Sequence, residues 1–127
     1  LQLDVLDGWR RPRGLIIEEG VVMGKPDFKV VKQDERYTVS DNTDLNAFVV
    51  SRTILYAGQQ TTGHKHKGQE EVYLFTRGDG RMELDEEILT VGKGDIVLVE
   101  DGQFHRVYNP TLTSLEFVCI FNGTRQA

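Results

Sequence analysis

Short runs of apolar and aromatic residues, separated by turns rich in glycine, aspartate and asparagine, make up most of the sequence after residue 47. Such runs are typical of β-strands, whereas the 3.6-residue period of an amphipathic helix is not evident. The pattern therefore predicts an all-β sandwich or barrel. Seven strands are predicted on this basis, at residues 48–57, 71–76, 81–84, 87–91, 95–99, 105–108 and 115–121.

The first 47 residues have a weaker pattern. Residues 14–17 and 28–31 are predicted as edge strands, and the polar stretch 33–44 is predicted as a loop. No repeat, low-complexity tract or linker divides the sequence. We therefore interpret residues 1–127 as a single domain with a core barrel over residues 48–121 and an N-terminal arm with edge strands over residues 1–47.

Composition narrows the class of protein. The 127 residues are 39% hydrophobic and 28% charged, an ordinary balance for a soluble globular domain. A net charge of −5 gives no reason to expect a nucleic-acid partner. No stretch approaches the roughly 20 apolar residues of a membrane span, so no membrane partner is expected either. The start does not resemble a signal peptide, and the single cysteine, Cys119, suits a reducing compartment, so a cytoplasmic protein is predicted.

The three histidines are the most informative residues for function. His64 and His66 are two apart, so on an extended segment both rings leave the same face, about 6.6 Å apart along the chain. Glu71 follows after a polar, glycine-containing loop that can return it to the two histidines, and His105 opens a later strand. Three imidazoles and a carboxylate suit one divalent transition metal ion: Mn, Fe, Co, Ni or Zn. Glu70 is the alternative carboxylate, but alternation with Tyr73 favours Glu71.

Two spaced motifs carry a resemblance to a known family. The pattern G-x5-H-x-H-x4-E-x6-G is matched from Gly58 to Gly78, and G-x5-P-x-G-x2-H-x3-N is matched from Gly94 to Asn109, with Glu100 in place of proline. The sequence therefore resembles the cupins over roughly residues 48–121. The resemblance implies a double-stranded β-helix (jelly-roll) barrel, often a homodimer, in which His64, His66, Glu71 and His105 are the metal ligands.

A finer resemblance is to the cupin-type phosphoglucose isomerases of archaea. It covers residues 53–58, 61–66, 71–73 and 105–109, and it implies that Thr53, Thr61 and Gly63 bind a sugar phosphate while Tyr73 lines the site. The sequence departs from that family at Phe121, where the family has a tyrosine. The loop before the first motif is also several residues shorter.

The remaining pocket residues follow from alternation on the last strand. With Glu116 facing water, Phe117 and Cys119 turn inward, where the cysteine is either a pocket thiol or a small buried hydrophobe. Glu71 is the candidate proton-transfer base and Tyr73 either a hydroxyl donor or a core residue.

Three functions remain open for a small polar organic substrate. The leading hypothesis is a metal-dependent sugar or sugar-phosphate isomerase. The alternatives are a metal-dependent dioxygenase of a small organic molecule and a non-catalytic sugar- or small-ligand-binding module, because the fold alone does not determine the reaction.

Overall fold

The computed structural model describes residues 24–126, which form nine β-strands and no α-helix. No helix in this range is therefore long and apolar enough to cross a membrane. The strands are β1 (Lys29–Gln33), β2 (Tyr37–Asn42), β3 (Phe48–Leu55), β4 (Glu71–Arg77), β5 (Asp79–Leu84), β6 (Glu87–Gly92), β7 (Ile96–Val99), β8 (His105–Tyr108) and β9 (Leu115–Asn122).

The strands form two antiparallel sheets. One has six strands in the order β1-β2-β3-β9-β4-β7, and the other has three in the order β6-β5-β8. Strand β9 lies between β3 and β4, so the last strand of the chain joins the first half of the large sheet to the second. This is the all-β jelly-roll architecture that the sequence predicted, because strands far apart in sequence pair across the barrel.

The core lies between the two sheets and follows the alternation of the strands. On β9 every second residue, from Leu115 through Phe117 and Cys119 to Phe121, is buried, as predicted. On β4 the buried positions are Glu71, Tyr73 and Phe75, so a carboxylate lies on the same face as two aromatic rings. The inward face of the large sheet therefore carries both the core and polar groups for a site.

The prediction of a loop over residues 33–44 is wrong. This stretch contains β2, which pairs with β1 on one side and β3 on the other. Tyr37 and Val39 are buried in the core, but Asp41 at the next inward position is polar, so the apolar alternation is interrupted. The strand is stabilised by pairing with β3 and by a partner of Asp41 that is distant in sequence. The local sequence pattern indicates neither contact.

Two smaller differences concern strand limits. The predicted edge strand over 28–31 is found as β1, displaced slightly toward the C-terminus, and β5 begins two residues before its predicted start because Asp79 and Gly80 already pair with β6. The predicted strand over 14–17 lies outside the described residues.

Candidate metal centre

The first two histidines lie on the segment that joins β3 to β4, and β8 fixes its position. Thr61 N donates to Val107 O at 2.9 Å. His64 and His105 exchange backbone hydrogen bonds of 3.2 and 2.9 Å, as in an antiparallel pair. The segment therefore runs beside β8, and the side chains of His64 and His105 are brought to the same place.

The fourth residue comes from the other sheet. Glu71 opens β4, is 7% exposed, and places Oε2 3.0 Å from His105 Nε2 and 3.6 Å from His66 Nε2. One ligand atom from each of the four residues lies within 4.8 Å of all the others. Glu70, the alternative carboxylate, is exposed and is not part of the cluster. The predicted ligands are thus brought together across the barrel.

The unpaired donor atoms fit a bound cation. Glu71 Oε2 and His105 Nε2 are buried and, although they are close, neither makes a well-aligned hydrogen bond within residues 24–126. Leaving such groups without partners costs about 1–3 kcal/mol each, and more for a charge. A divalent ion bound by the four residues would remove this cost, and three imidazoles with one carboxylate suit Mn, Fe, Co, Ni or Zn.

Hydrogen bonds on the outer side of two rings orient them toward the cluster. His105 Nδ1 lies 3.0 Å from the carbonyl oxygen of Gln103, which can only accept, so Nδ1 carries the hydrogen and Nε2 faces the cluster with its lone pair. Gln126 Nε2 donates to Lys67 O, which directs the amide oxygen of Gln126 toward His66 Nδ1 at 3.1 Å. His66 is held in the same tautomer as His105.

The electrostatics of the cluster favour neutral imidazole at His64. Burial, followed by the neighbouring His105 and His66, lowers the pKa of His64 to about 4. Burial also lowers the pKa of His105, but contact with Glu71 and the hydrogen bond to Gln103 outweigh it, and the pKa is raised above its ordinary value. His64 is therefore ready to bind a metal at neutral pH, whereas at His105 a metal competes with a proton whose binding Glu71 favours.

A cavity of about 440 Å³ opens from the cluster toward solvent. It has an apolar wall, a set of hydroxyl groups and a cationic rim formed by Lys32, Arg36 and Arg125. Its volume is in the range of small-molecule sites. Among the predicted substrate-binding residues, those that line this cavity are Thr53, Thr61, Tyr73, Phe117 and Cys119.

Gly63 is the one predicted substrate-binding residue that does not line the cavity. A Cβ at this position would lie 2.2 Å from Cζ of Phe104, so the glycine allows the ring to pack against the backbone. Its observed contact is therefore with Phe104, the residue before His105.

Burial sets the protonation of two cavity residues. Burial raises the pKa of Tyr73 well above its ordinary value, with a further contribution from Cys119. Burial, followed by the charge of Glu71, likewise raises the pKa of the Cys119 thiol. Tyr73 thus keeps its hydroxyl hydrogen and Cys119 its thiol hydrogen at neutral pH, which makes the cysteine a poor nucleophile.

Residues 125 and 126 are part of the site but were not found from the sequence. Arg125 donates from Nε and Nη2 to both carboxylate oxygens of Asp41, at 2.7 and 2.8 Å, and from Nη2 to Ser51 Oγ at 3.0 Å. Together with the contact of Gln126 to His66, these bonds hold the segment after β9 beside the cavity. Asp41 and Arg125 are 84 residues apart, so no local pattern could have indicated the pair.

A cluster of three histidines and a glutamate that could hold a metal ion, inside a double-stranded β-helix barrel, defines the class of protein. The family model described as "Cupin domain" matches residues 51–121, and the chain belongs to this family. The sequence is 33% identical over 70 residues to an uncharacterized protein of Methanocaldococcus jannaschii and 28% identical over 74 residues to an oxalate-binding protein of Thermotoga maritima. These matches cover 55% and 58% of this chain, and 56% and 61% of the relatives.

Solved structures share the fold. A cupin-2 domain protein of Rhodospirillum rubrum superposes with a TM-score of 0.68 over 80% of this chain and 72% of its own, at 18% identity. This likeness concerns the fold alone, because the sequence identity is low.

Proposed function

We propose that this cupin holds one divalent transition metal through His64, His66, Glu71 and His105 and uses it to bind a small, oxygen-rich organic anion inside the barrel. The observation that carries the proposal is the pair of buried, unpartnered atoms, Glu71 Oε2 and His105 Nε2, at the base of an open cavity. Four protein ligands leave one or two positions of a five- or six-coordinate ion for a ligand.

The charges of the cavity favour an anion. Three cations line it, and two of them are partly neutralised: Arg36 by Asp34 and Arg125 by Asp41. The metal adds two positive charges against the one carboxylate of Glu71. Carboxylates and phosphates are hard oxygen donors that can bind the ion and accept hydrogen bonds from the rim. The relative in Thermotoga maritima, named for binding oxalate, supports this ligand class.

Isomerisation of a sugar or sugar phosphate is the reaction that we propose for such a ligand. It is favoured by Thr53, Thr61 and Tyr73, whose side chains line the same cavity as the metal ligands. Thr61 Oγ1 accepts the N–H of Val107 at 3.0 Å, which leaves its own hydrogen for a ligand oxygen. When bound, the metal supplies a Lewis acid for the substrate oxygens.

The proton must then be moved by a residue of the chain. Glu71 is the proposed base, because Asp34, the other acidic residue among the described residues that line the cavity, is engaged by Arg36 through hydrogen bonds of 2.8 to 3.3 Å. The hydroxyl of Tyr73, which burial keeps protonated, would donate a hydrogen bond to a substrate oxygen and so position the substrate carbon that loses its proton. The apolar wall of Phe117 and Phe121 excludes water on one side of the cavity.

Isothermal titration with a panel of anions tests the proposal. Oxalate, malonate, glycolate and several sugar phosphates are titrated into protein loaded with Mn, Fe, Ni or Zn, and into the metal-free protein. We expect binding only with metal, weakened by Lys32→Ala and unchanged by Lys29→Ala, a lysine of the same strand that does not line the cavity. Failure of every anion to bind the loaded protein would overturn the ligand class.

The reaction is tested by NMR in D2O without oxygen. Incorporation of deuterium at the carbon next to a carbonyl would support isomerisation, if Glu71→Gln abolishes this incorporation and Glu70→Gln retains it. Oxygen consumption by the iron form would support the dioxygenase instead, and tight binding with neither reaction would support the binding module. Either of those results would contradict the isomerase proposal while leaving the metal and ligand proposals intact.

A further inference from the structure

The guanidinium of Arg125 keeps one nitrogen without a protein partner in the described part of the chain. Its Nε and Nη2 donate to Asp41 and Ser51, which uses every hydrogen on these two nitrogens. Within residues 24–126, Nη1 makes no hydrogen bond, and the side chain, which is 30% exposed, lines the cavity. Arg125 therefore has two N–H donors left for a group inside the cavity.

Arg125 is also held more firmly than the other two cations of the rim. Arg36 donates from all three of its nitrogens to protein groups, but its carboxylate partner Asp34 is exposed. Lys32 is an exposed residue of the edge strand β1. Asp41, by contrast, is buried and fixes the plane of the Arg125 guanidinium through two hydrogen bonds. A guanidinium that is already fixed loses little freedom when it binds a ligand.

The guanidinium lies on the same face of the large sheet as Glu71 of the cluster, and close to it. Glu71 and Phe121 are directly opposite each other on β4 and β9, and both side chains are buried on the inward face. The guanidinium lies 5.2 Å above the ring of Phe121. Neighbouring strands are about 4.8 Å apart, so the guanidinium is within roughly 10 Å of the Glu71 carboxylate. The pKa of Arg125 agrees with this placement, because it is raised chiefly by the hydrogen bond with Asp41 and further by the charge of Glu71.

We propose that Arg125 binds the anionic end of the ligand through Nη1, while oxygen atoms at the other end of the ligand bind at the metal cluster. This inference rests on the proposed function and narrows its ligand class. The ligand is a small acid whose carboxylate or phosphate is separated from a second oxygen group. Asp41 and Ser51 are positioning residues, because they hold the guanidinium in place. Arg125 then determines both which anions bind and which end of the anion reaches the cluster.

Calorimetric titration of the full chain, loaded with Mn or Zn, tests this role with pairs of ligands. Succinate and succinamate have nearly the same shape, but succinamate lacks one of the two charges. We expect Arg125→Gln to weaken succinate binding about 10-fold or more and succinamate binding less than about 3-fold, because succinate alone loses a hydrogen bond between two charged groups. Glycerate 3-phosphate and glycerate form the second pair, and the pair that responds identifies the anionic group.

Three other variants separate a contact with the ligand from a merely structural role. Arg52→Gln removes a cation on the outer face of the same sheet, where Arg52 lies 3.9 Å over the ring of Phe28, and should change neither affinity. Asp41→Asn breaks the same ion pair but keeps the cation, so it should retain most of the preference for succinate. The double variant of Asp41→Asn and Arg125→Gln leaves no unpaired buried charge, so it decides the question if Arg125→Gln fails to fold. It should lose the preference.

The outcomes distinguish this inference from the proposed function. Equal weakening of both members of each pair by Arg125→Gln would overturn the inference alone, as would the same loss of preference in Asp41→Asn. Either result would leave the metal site and the anionic ligand class intact. If none of these anions binds the loaded wild type, the proposed ligand class fails and the role of Arg125 fails with it.

Discussion

The ion pair of Asp41 and Arg125 should be a main contributor to stability and to the shape of the site. Asp41 is 7% exposed on β2 and receives two hydrogen bonds from the guanidinium, which also lies 5.2 Å above the ring of Phe121. In Asp41→Asn the volume is kept but the negative charge is lost. Breaking a fully buried pair costs 3–5 kcal/mol, and because the side chain of Arg125 is 30% exposed and can turn to water, we expect about 2 kcal/mol.

The pH dependence of this loss follows from the pKa of Asp41. Burial alone would raise this pKa, but hydrogen bonds from Arg125 and Ser51 outweigh burial and hold it below its ordinary value of 3.8. The folded state therefore binds the proton more weakly than the unfolded state. The contribution to stability is fully present above the unfolded pKa and is lost as the pH falls through the lower, folded pKa.

Urea unfolding followed by circular dichroism measures the effect. At pH 7 we expect the free energy of unfolding of Asp41→Asn to be lower by about 2 kcal/mol, equivalent to roughly 7 °C in Tm for a domain of this size. The difference from wild type should begin to shrink once the pH falls below about 4. Asp27→Asn, at an exposed position, is the control. A loss below about 0.5 kcal/mol at pH 7, or a loss independent of pH, would show that the pair of Asp41 and Arg125 does not stabilise the fold in this way.

Three further predictions concern the surroundings of the cluster. Gln126→Ala should weaken metal binding about 10- to 100-fold with little change in stability, because His66 loses the partner that orients its ring. Gln126→Glu keeps a hydrogen-bond acceptor and should restore most of the metal affinity. Equal metal affinities of the wild type and both variants would contradict this role of Gln126. Gly63→Ala should cost about 1–3 kcal/mol in urea unfolding by displacing the ring of Phe104, and an additive loss in the double variant with Phe104→Ala would argue against that contact. Cys119, a buried thiol with a raised pKa, should react with a thiol reagent in folded protein at least about 10-fold more slowly than in urea, and equal rates would be inconsistent with its burial.

The sequence predicted the strands from 48 onward because each has a clear alternation or a continuous apolar run between turns. It failed at β2, where the polar residue Asp41 occupies an inward position and its neighbour Asn42 is also buried; each is satisfied by tertiary contacts. A polar residue at an inward position resembles a loop residue until its partner is known. The prediction failed because β2 depends on long-range pairing, and a local sequence pattern contains no information about such pairing.

The candidate site shows the same limit. The four residues of the cluster were predicted because their types and spacing form a motif, and Phe117 and Cys119 because strand alternation determines which way they face. Arg125 and Gln126 could not be found, because they act through partners 84 and 60 residues away in sequence. Gly63 was given a role by resemblance, whereas its observed contact is with Phe104.

Metal binding by the four clustered residues can be measured directly. The metal-free protein is titrated with Mn, Fe, Co, Ni or Zn by calorimetry, and bound metal is then counted by elemental analysis. We expect one ion per chain, with affinity about 100- to 1000-fold weaker in His66→Ala and Glu71→Gln, each of which alters one of the four proposed ligands. The neighbouring variants Lys65→Ala and Glu70→Gln should bind as the wild type does. A wild-type protein that binds none of these metals, or a His66→Ala protein that binds them equally well, would contradict the proposed metal site.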